Sequence, residues 1–403
     1  MIEVSNLRKE KNKGWVILKC DFNHYGEGEW PYSDNVLWLA VEEKNEDMLT
    51  TEVYDPFVLV PLMLGMYYGQ DVHIKGDISP RLYHNIRHYI INIFDRFSDY
   101  NRIVNFEVDG FKIVHGPSTL IGTGISCGVD SLVTIYDNFI QETDENFKIN
   151  SLFFFNYGSH GDFEDSSSHK RWEDRITLNM KCAEELNLPV YLVDTNFHAY
   201  THRIGEPQMG YLANYSCILA LQKYIKRYMT SANLSYDEIM IYRDNSRDFD
   251  FAEYCESFFP HLVSTEGVEL VIDGCQYTRA QKIERISEWK IAQKYLNVCI
   301  HPVSKGHNCS NCEKCMWTLI PLEAMGKLDK FKDVFDIGTY NRNSRWWKSY
   351  FMTRHSKDSM ETSVIDYARG KGLKVHSKVG ANITCFYMRV LRKLKKIVGV
   401  SNG

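Results

Sequence analysis

Two short stretches concentrate the residue types that do chemistry. The first is Ser126-Cys-Gly-Val-Asp-Ser131, embedded in a segment running from Gly122 to Asn138. It reads as a strand, a turn of small residues and an amphipathic helix. Such a turn lets several backbone N–H groups converge on one anion, and the helix start adds partial positive charge. Gly128 permits close approach. The hydroxyls of Ser126 and Ser131 can each donate to a phosphate oxygen. Asp130 would repel a bare phosphate and makes sense mainly as a ligand for a phosphate-bound Mg²⁺. A Walker A loop requires G-x-x-x-x-G-K-[ST], and that pattern is absent. The missing lysine fits a site where pyrophosphate leaves intact better than one where the γ-phosphoryl is transferred.

The second stretch runs from Cys299 to Cys315 and holds four of the eleven cysteines within seventeen residues. Two C-x-x-C steps share Cys312, which puts Cys309, Cys312 and Cys315 in one tight turn. A looped-back Cys299 completes four sulfur ligands for tetrahedral, structural Zn²⁺. His307 could replace one ligand, although its place beside Cys309 makes simultaneous binding awkward. Four unrelated thiols and an iron–sulfur cluster are the alternatives.

The elements around these stretches must position them. Near-continuous apolar strands at Ser151–Asn156 and Leu188–Val193 alternate with helices, one of them passing through Lys181–Leu186. A longer helix is predicted over Tyr211–Tyr228 and a further strand over Glu238–Tyr242. This alternation, over about 113–335, predicts an α/β fold: a parallel sheet covered by helices on both faces. Ligands of such sheets bind beyond the carboxyl ends of the strands, where Ser126 falls. In the helix after Ser131, Leu132, Ile135, Phe139 and Ile140 should share the buried face. Residues 1–112 read as a smaller α+β domain, with strands at Val36–Val41 and Asp71–Lys75. There Ser79-Pro80 caps a helix whose stripe is Leu82, Ile86, Ile90, Ile93 and Phe97. Residues 336–403 form a C-terminal extension. From Tyr367 onward it carries nine Lys or Arg and no acid. Its stripe of Ile383, Phe386, Tyr387, Val390, Leu391, Leu394 and Ile397 lies beside Arg389, Arg392, Lys393, Lys395 and Lys396. Such a basic amphipathic helix can lie peripherally on an anionic membrane or dock on a partner protein. Packing against its own domain is the plainer alternative.

Bulk properties bound the function classes. The net charge of −5 gives no global basic field to recruit nucleic acid. No signal-peptide pattern opens the chain, and the longest apolar run, Phe57–Tyr68, is too short to span a bilayer. With scattered cysteines, this points to a reducing cytoplasm.

Ser126-Cys-Gly-Val-Asp-Ser131 closely resembles the S-G-G-x-D-S loop of the PP-loop ATP pyrophosphatases, in the adenine nucleotide alpha hydrolase-like superfamily. The resemblance implies a Rossmann-like (HUP-type) fold and cleavage of ATP to AMP and pyrophosphate. Ser126, Cys127, Gly128, Val129, Asp130 and Ser131 would then hold the nucleotide phosphates, with Asn156 and Tyr157 near the adenine. Cys127 departs from the pattern by replacing the first glycine, and a positive φ there would be strained. The loop together with a late C…C-x-x-C-x-x-C, and the run Gly274–Ile283 between them, is similar to the cyano-deazaguanine synthases of queuosine biosynthesis. Those enzymes activate a carboxylate with ATP and convert it, with ammonia, to an amide and then a nitrile. The likeness covers roughly residues 113–330.

The expected reaction is adenylation of a carboxylate or carbonyl oxygen, followed by attack of ammonia or an amine. The acceptor would be a small molecule, a nucleobase or a protein. Asp130 and Ser131 are the catalytic candidates in the loop, and Arg279 and Lys282 would stabilise departing pyrophosphate. The run Thr278–Lys282 equally suits a solvated helix face. Two other readings stay open: a tRNA-thiolation-type sulfurtransferase, with Cys217 or Cys275 as the second thiol, and a non-catalytic nucleotide-binding scaffold. His198 and His202, one helical turn apart, lack an acidic partner and read as packing. The stretch Arg243–Asp248 could bind substrate or be a plain polar loop.

Overall fold

The computed structural model describes residues 1–26, 30–97, 100–158, 166–204, 208–245, 256–299 and 307–397. The strands are β1 (Ile2–Asn12), β2 (Trp15–His24), β3 (Val36–Glu42), β4 (Val72–Ile78), β5 (Phe106–Phe111), β6 (Leu120–Gly124), β7 (Ser151–Asn156), β8 (Val190–Thr195), β9 (Ile225–Ser231) and β10 (Glu269–Asp273). They form one mixed sheet in the order β10-β9-β6-β7-β8-β3-β2-β1-β4-β5. Six of its nine pairings are parallel and three antiparallel.

The two ends of the sheet follow different rules. Lys13 and Gly14 join β1 to β2 with φ of +48° and +84°, the mirror-image turn that matches strand twist. In β2, Val16, Leu18, Cys20 and Phe22 are fully buried and alternate with half-buried residues. By contrast β7 is buried along Ser151–Phe155 on both faces, as a central parallel strand must be. Antiparallel pairing of Leu39 with Thr195 and of Val41 with Val193 welds the N-terminal strands to the parallel set.

Chain compactness groups the residues differently from the three segments 1–112, 113–335 and 336–403. One unit comprises Met1–Ser126, Thr134–Ser231 and Asp250–Asp273, and carries the whole sheet. The other comprises Cys127–Val133, Ala232–Phe249 and Gly274–Gly403.

Several sequence expectations need correction. The helix placed over Tyr211–Tyr228 ends at Ala220, and Ile225–Ser231 is β9. Ile225, Tyr228 and Met229 suit either element by local pattern, and parallel partners in β6 and β10 decide for strand. The strand placed at Glu238–Tyr242 is part of a helix, Tyr236–Asn245. There Ser235 Oγ accepts from the Glu238 N–H (3.1 Å) and Glu238 Oε2 accepts from the Ser235 N–H (2.9 Å), a reciprocal cap. The helix Val129–Ile135 buries Leu132 and Ile135 as expected, then widens into a π-helical stretch over Tyr136–Gln141. That change of period rotates Phe139 to half-burial and Ile140 into solvent. Ser79 does precede Pro80 at a helix start, but its hydroxyl donates to buried Asp55 and not to the helix. Leu82, Ile86 and Ile90 are fully buried, Ile93 is half-buried, and the Phe97 side chain lies outside the described residues. So do the side chains of Arg243–Asp248.

Gly122 lets β6 approach β7. A β-carbon there would lie 2.5 Å from both the Ser151 carbonyl oxygen and the Phe153 ring. Gly122→Ala should therefore destabilise the protein by about 2 kcal/mol through overpacking, read as a lower denaturant midpoint at unchanged m-value.

Candidate anion and metal sites

Immediately after β6 the chain passes Ser126, which is exposed, and enters the second unit at Cys127. Cys127 has φ of +54° and is fully buried. A β-carbon in this left-handed region costs roughly 1–2 kcal/mol. Its carbonyl accepts the Asn297 N–H at 2.8 Å, which anchors the strained residue. Gly128 offers its carbonyl to the Leu132 N–H (3.0 Å) and the Ser131 hydroxyl (3.3 Å). Val129 and Ser131 are buried beneath the turn.

Asp130 is the hub. Its Oδ2 accepts from Arg279 Nη1 at 2.5 Å and its Oδ1 from Lys282 Nζ at 2.9 Å. Burial pushes the Asp130 carboxyl up, but the charges and hydrogen bonds of Arg279 and Lys282 outweigh it and hold it below the usual carboxylate range. Both cations sit on the helix Arg279–Ile286, which starts with a complete capping box between Thr278 and Gln281. Gly274, with φ of +92°, turns the chain after β10 and packs against the Lys282 stem. Arg279 is only 5% exposed and Lys282 only 1%, so the solvated-face alternative is excluded for both.

The two cations are used differently. A lysine ammonium has three donors. Lys282 directs them at Asp130, at the Ala232 carbonyl (2.6 Å) and at the Asn233 carbonyl (3.3 Å). It is thus saturated and works as an anchor. Arg279 retains donors: its buried Nε has no hydrogen-bond partner among the described residues. Its backbone N–H is taken by Glu238 Oε1 at 3.2 Å. Glu238, fully buried, also accepts the Ser363 hydroxyl, and no reading of the sequence singled it out as part of this assembly. The S-x-x-E pattern of Ser235-Tyr-Asp-Glu238 is the signal that could have found it.

Asn156 and Tyr157 belong to the first unit. Asn156 Nδ2 donates to Asp194 Oδ1 at 2.8 Å, across the ends of β7 and β8. Tyr157 is half-buried against the core. His198 and His202 contact one another, with His202 Nδ1 2.8 Å from the His198 carbonyl, in line with packing.

The cysteine cluster closes as the spacing predicts. The sulfur atoms of Cys299, Cys309, Cys312 and Cys315 all lie within 4.8 Å of one another. Individual separations are 3.7 Å for Cys299–Cys312, 3.9 Å for Cys309–Cys315 and 3.5 Å for Cys312–Cys315. A tetrahedron with metal–sulfur bonds of about 2.3 Å has edges of about 3.8 Å, so the four thiols could hold a metal ion. Asn308 braces the loop: its Oδ1 accepts from the Val298 and Cys299 N–H groups, and its Nδ2 donates to the Leu296 and Val334 carbonyls. Cys312 caps the helix Glu313–Ala324, and Trp347 Nε1 donates to Asn311 Oδ1 at 3.0 Å. Hydrogen bonding with Cys299 leads in pushing the Cys312 pKa up to about 12. His307 is exposed and lies outside the ligand set, while residues 300–306 fall outside the described ones.

No family model, no curated protein and no solved structure matches this chain.

Replacing Asp130 by Asn should strand two buried cations and destabilise the protein by about 3 kcal/mol, measurable by denaturant unfolding. The lowered Asp130 pKa contributes stability above the unfolded carboxylate value of about 4 and loses it as pH falls below. The acid limb of wild-type stability should consequently flatten in Asp130→Asn. For the cluster, metal analysis of freshly purified protein should find one tetrahedral-thiolate metal per chain. Cys312→Ser should lose it and lower the melting temperature.

Proposed function

We propose that this chain is an ATP-dependent adenylating enzyme with a Rossmann-like parallel domain and a structural Zn²⁺ on Cys299, Cys309, Cys312 and Cys315. The observation that carries the reading is the Asp130–Arg279–Lys282 assembly: two buried cations gathered on the carboxylate of the small-residue turn. Topology supports it. Counted from β6, the parallel strands lie in the order 3-2-1-4-5 (β8-β7-β6-β9-β10), that of doubly wound nucleotide-binding sheets. The turn follows the first of them, where strand order reverses and such sheets take ligands.

In this reading an oxygen of the acceptor attacks the α-phosphorus of ATP, and pyrophosphate departs. Mg²⁺ bound with the nucleotide would supply charge neutralisation on the phosphates. The chain's own residues do the rest. Exposed Ser126 offers its hydroxyl to a phosphate oxygen, while Ser131, whose hydroxyl donates to the Gly128 carbonyl, would have to turn outward to do the same. Gly128 allows the backbone to come close, while Cys127 sets the curvature of the turn. Arg279 stabilises charge developing on the leaving pyrophosphate, held in place by Asp130. Lys282 keeps Asp130 oriented. Ammonia or an amine then attacks the activated carbon, and AMP leaves with the acceptor oxygen.

The sulfurtransferase alternative is weaker. Cys127 and Cys217 are fully buried and Cys275 nearly so. Burial pushes the Cys217 thiol far above its ordinary value, which disfavours the thiolate.

Pyrophosphate release from ATP and Mg²⁺, followed with added ammonia and a panel of carboxylates, tests the proposal. Ser126→Ala should retain the fold and lower turnover about tenfold, and Arg279→Lys should lower it about a hundredfold. Turnover that is absent in the wild type, or equal in all three proteins, would refute it.

A further inference from the structure

The last helix, Lys378–Ile397, has two faces with different neighbours. Ala381 and Cys385 are buried, within a unit where this helix packs against the helix Ile337–Arg354. On the opposite side, Val379, Ile383, Phe386, Tyr387 and Val390 stand in solvent, at 70%, 65%, 72%, 60% and 38% exposure. At 100° per residue these five span an arc of about 100°, centred away from Ala381 and Cys385. They run for about 17 Å along the axis. This terminal helix thus displays an ordered apolar stripe that its own domain leaves uncovered.

Charge narrows what can cover it. Residues 336–403 carry fourteen Lys or Arg against four Asp or Glu, a net +10 in a chain whose total is −5. After Asp366 there are nine cations and no acid, six of them (Lys378, Arg389, Arg392, Lys393, Lys395, Lys396) within this helix. A second copy would set cationic helix against cationic helix, with repulsion to overcome. Duplex nucleic acid would meet the cations but leave the aliphatic side chains of Val379, Ile383 and Val390 in water. An anionic lipid surface satisfies both features: headgroups take the lysines and arginines, and the acyl boundary takes the apolar side chains. No helix among the described residues is long and apolar enough to cross a membrane, so the contact is an in-plane one.

We infer that Lys378–Ile397 is a membrane-surface helix that docks the protein peripherally on anionic lipid through Val379, Ile383, Phe386, Tyr387 and Val390. The test uses the full chain and vesicle sedimentation. Wild type should pellet with phosphatidylcholine vesicles containing about one-third phosphatidylglycerol, and about tenfold less with pure phosphatidylcholine. Raising salt to about 1 M should weaken binding. The double variant Ile383→Glu/Phe386→Glu changes two exposed side chains and should keep wild-type circular dichroism and metal content. It should lose vesicle binding about tenfold. Lys374→Glu/Lys378→Glu should lose it on anionic vesicles while leaving the apolar stripe intact. Equal binding to both vesicle types, wild-type binding by either variant, or capture of an oligonucleotide in place of vesicles would overturn the inference.

Discussion

The candidate site rests on one half-buried carboxylate held by two buried cations. Asp130 draws Arg279 and Lys282 out of water, and desolvating three charges is expensive unless every donor and acceptor is met. Lys282 meets that demand completely, with one carboxylate oxygen and two main-chain carbonyls from the segment just after β9. Arg279 meets it only in part. The outcome is unequal: Lys282 fixes the turn through three hydrogen bonds, while the buried Nε of Arg279 has no partner among the described residues.

Strain in the turn belongs to the same arrangement. Cys127 holds a backbone conformation that favours glycine, and the cost is tolerated because the surroundings over-determine it. The Asn297 N–H fixes its carbonyl, its side chain is fully buried, and the helix that follows is tied through Asp130. A site organised this way is set before any ligand arrives, which is what stabilising a developing charge requires.

Within the second unit the cysteine cluster plays a parallel structural role. Glu313–Ala324 and Ile337–Arg354 are both tied to the knuckle, the first by its Cys312 cap and the second through Trp347. Four thiols closing on one point could hold a metal ion, and metal binding would supply the stability that so polar a loop cannot draw from hydrophobic burial.

Much of the local geometry was legible in the residues themselves. Serine, glycine and aspartate between a strand and a helix, and two overlapping C-x-x-C steps, are local patterns whose geometry follows from backbone connectivity. Strand β7 was legible too, since a doubly buried strand is written as an unbroken apolar run, and half-buried β8 overlaps its expected span over Val190–Val193. The identity of β9 and of the helix Tyr236–Asn245 was not, because a short apolar run suits either element until sheet partners or a cap decide. The joining of the N-terminal strands to the parallel set through β3 and β8 was equally invisible, being a pairing between distant segments. Above all, the burial of Arg279 and Lys282 came only from tertiary structure. Their partner Asp130 lies 149 and 152 residues away in the chain, and a charge is taken out of water only where folding brings its opposite to meet it.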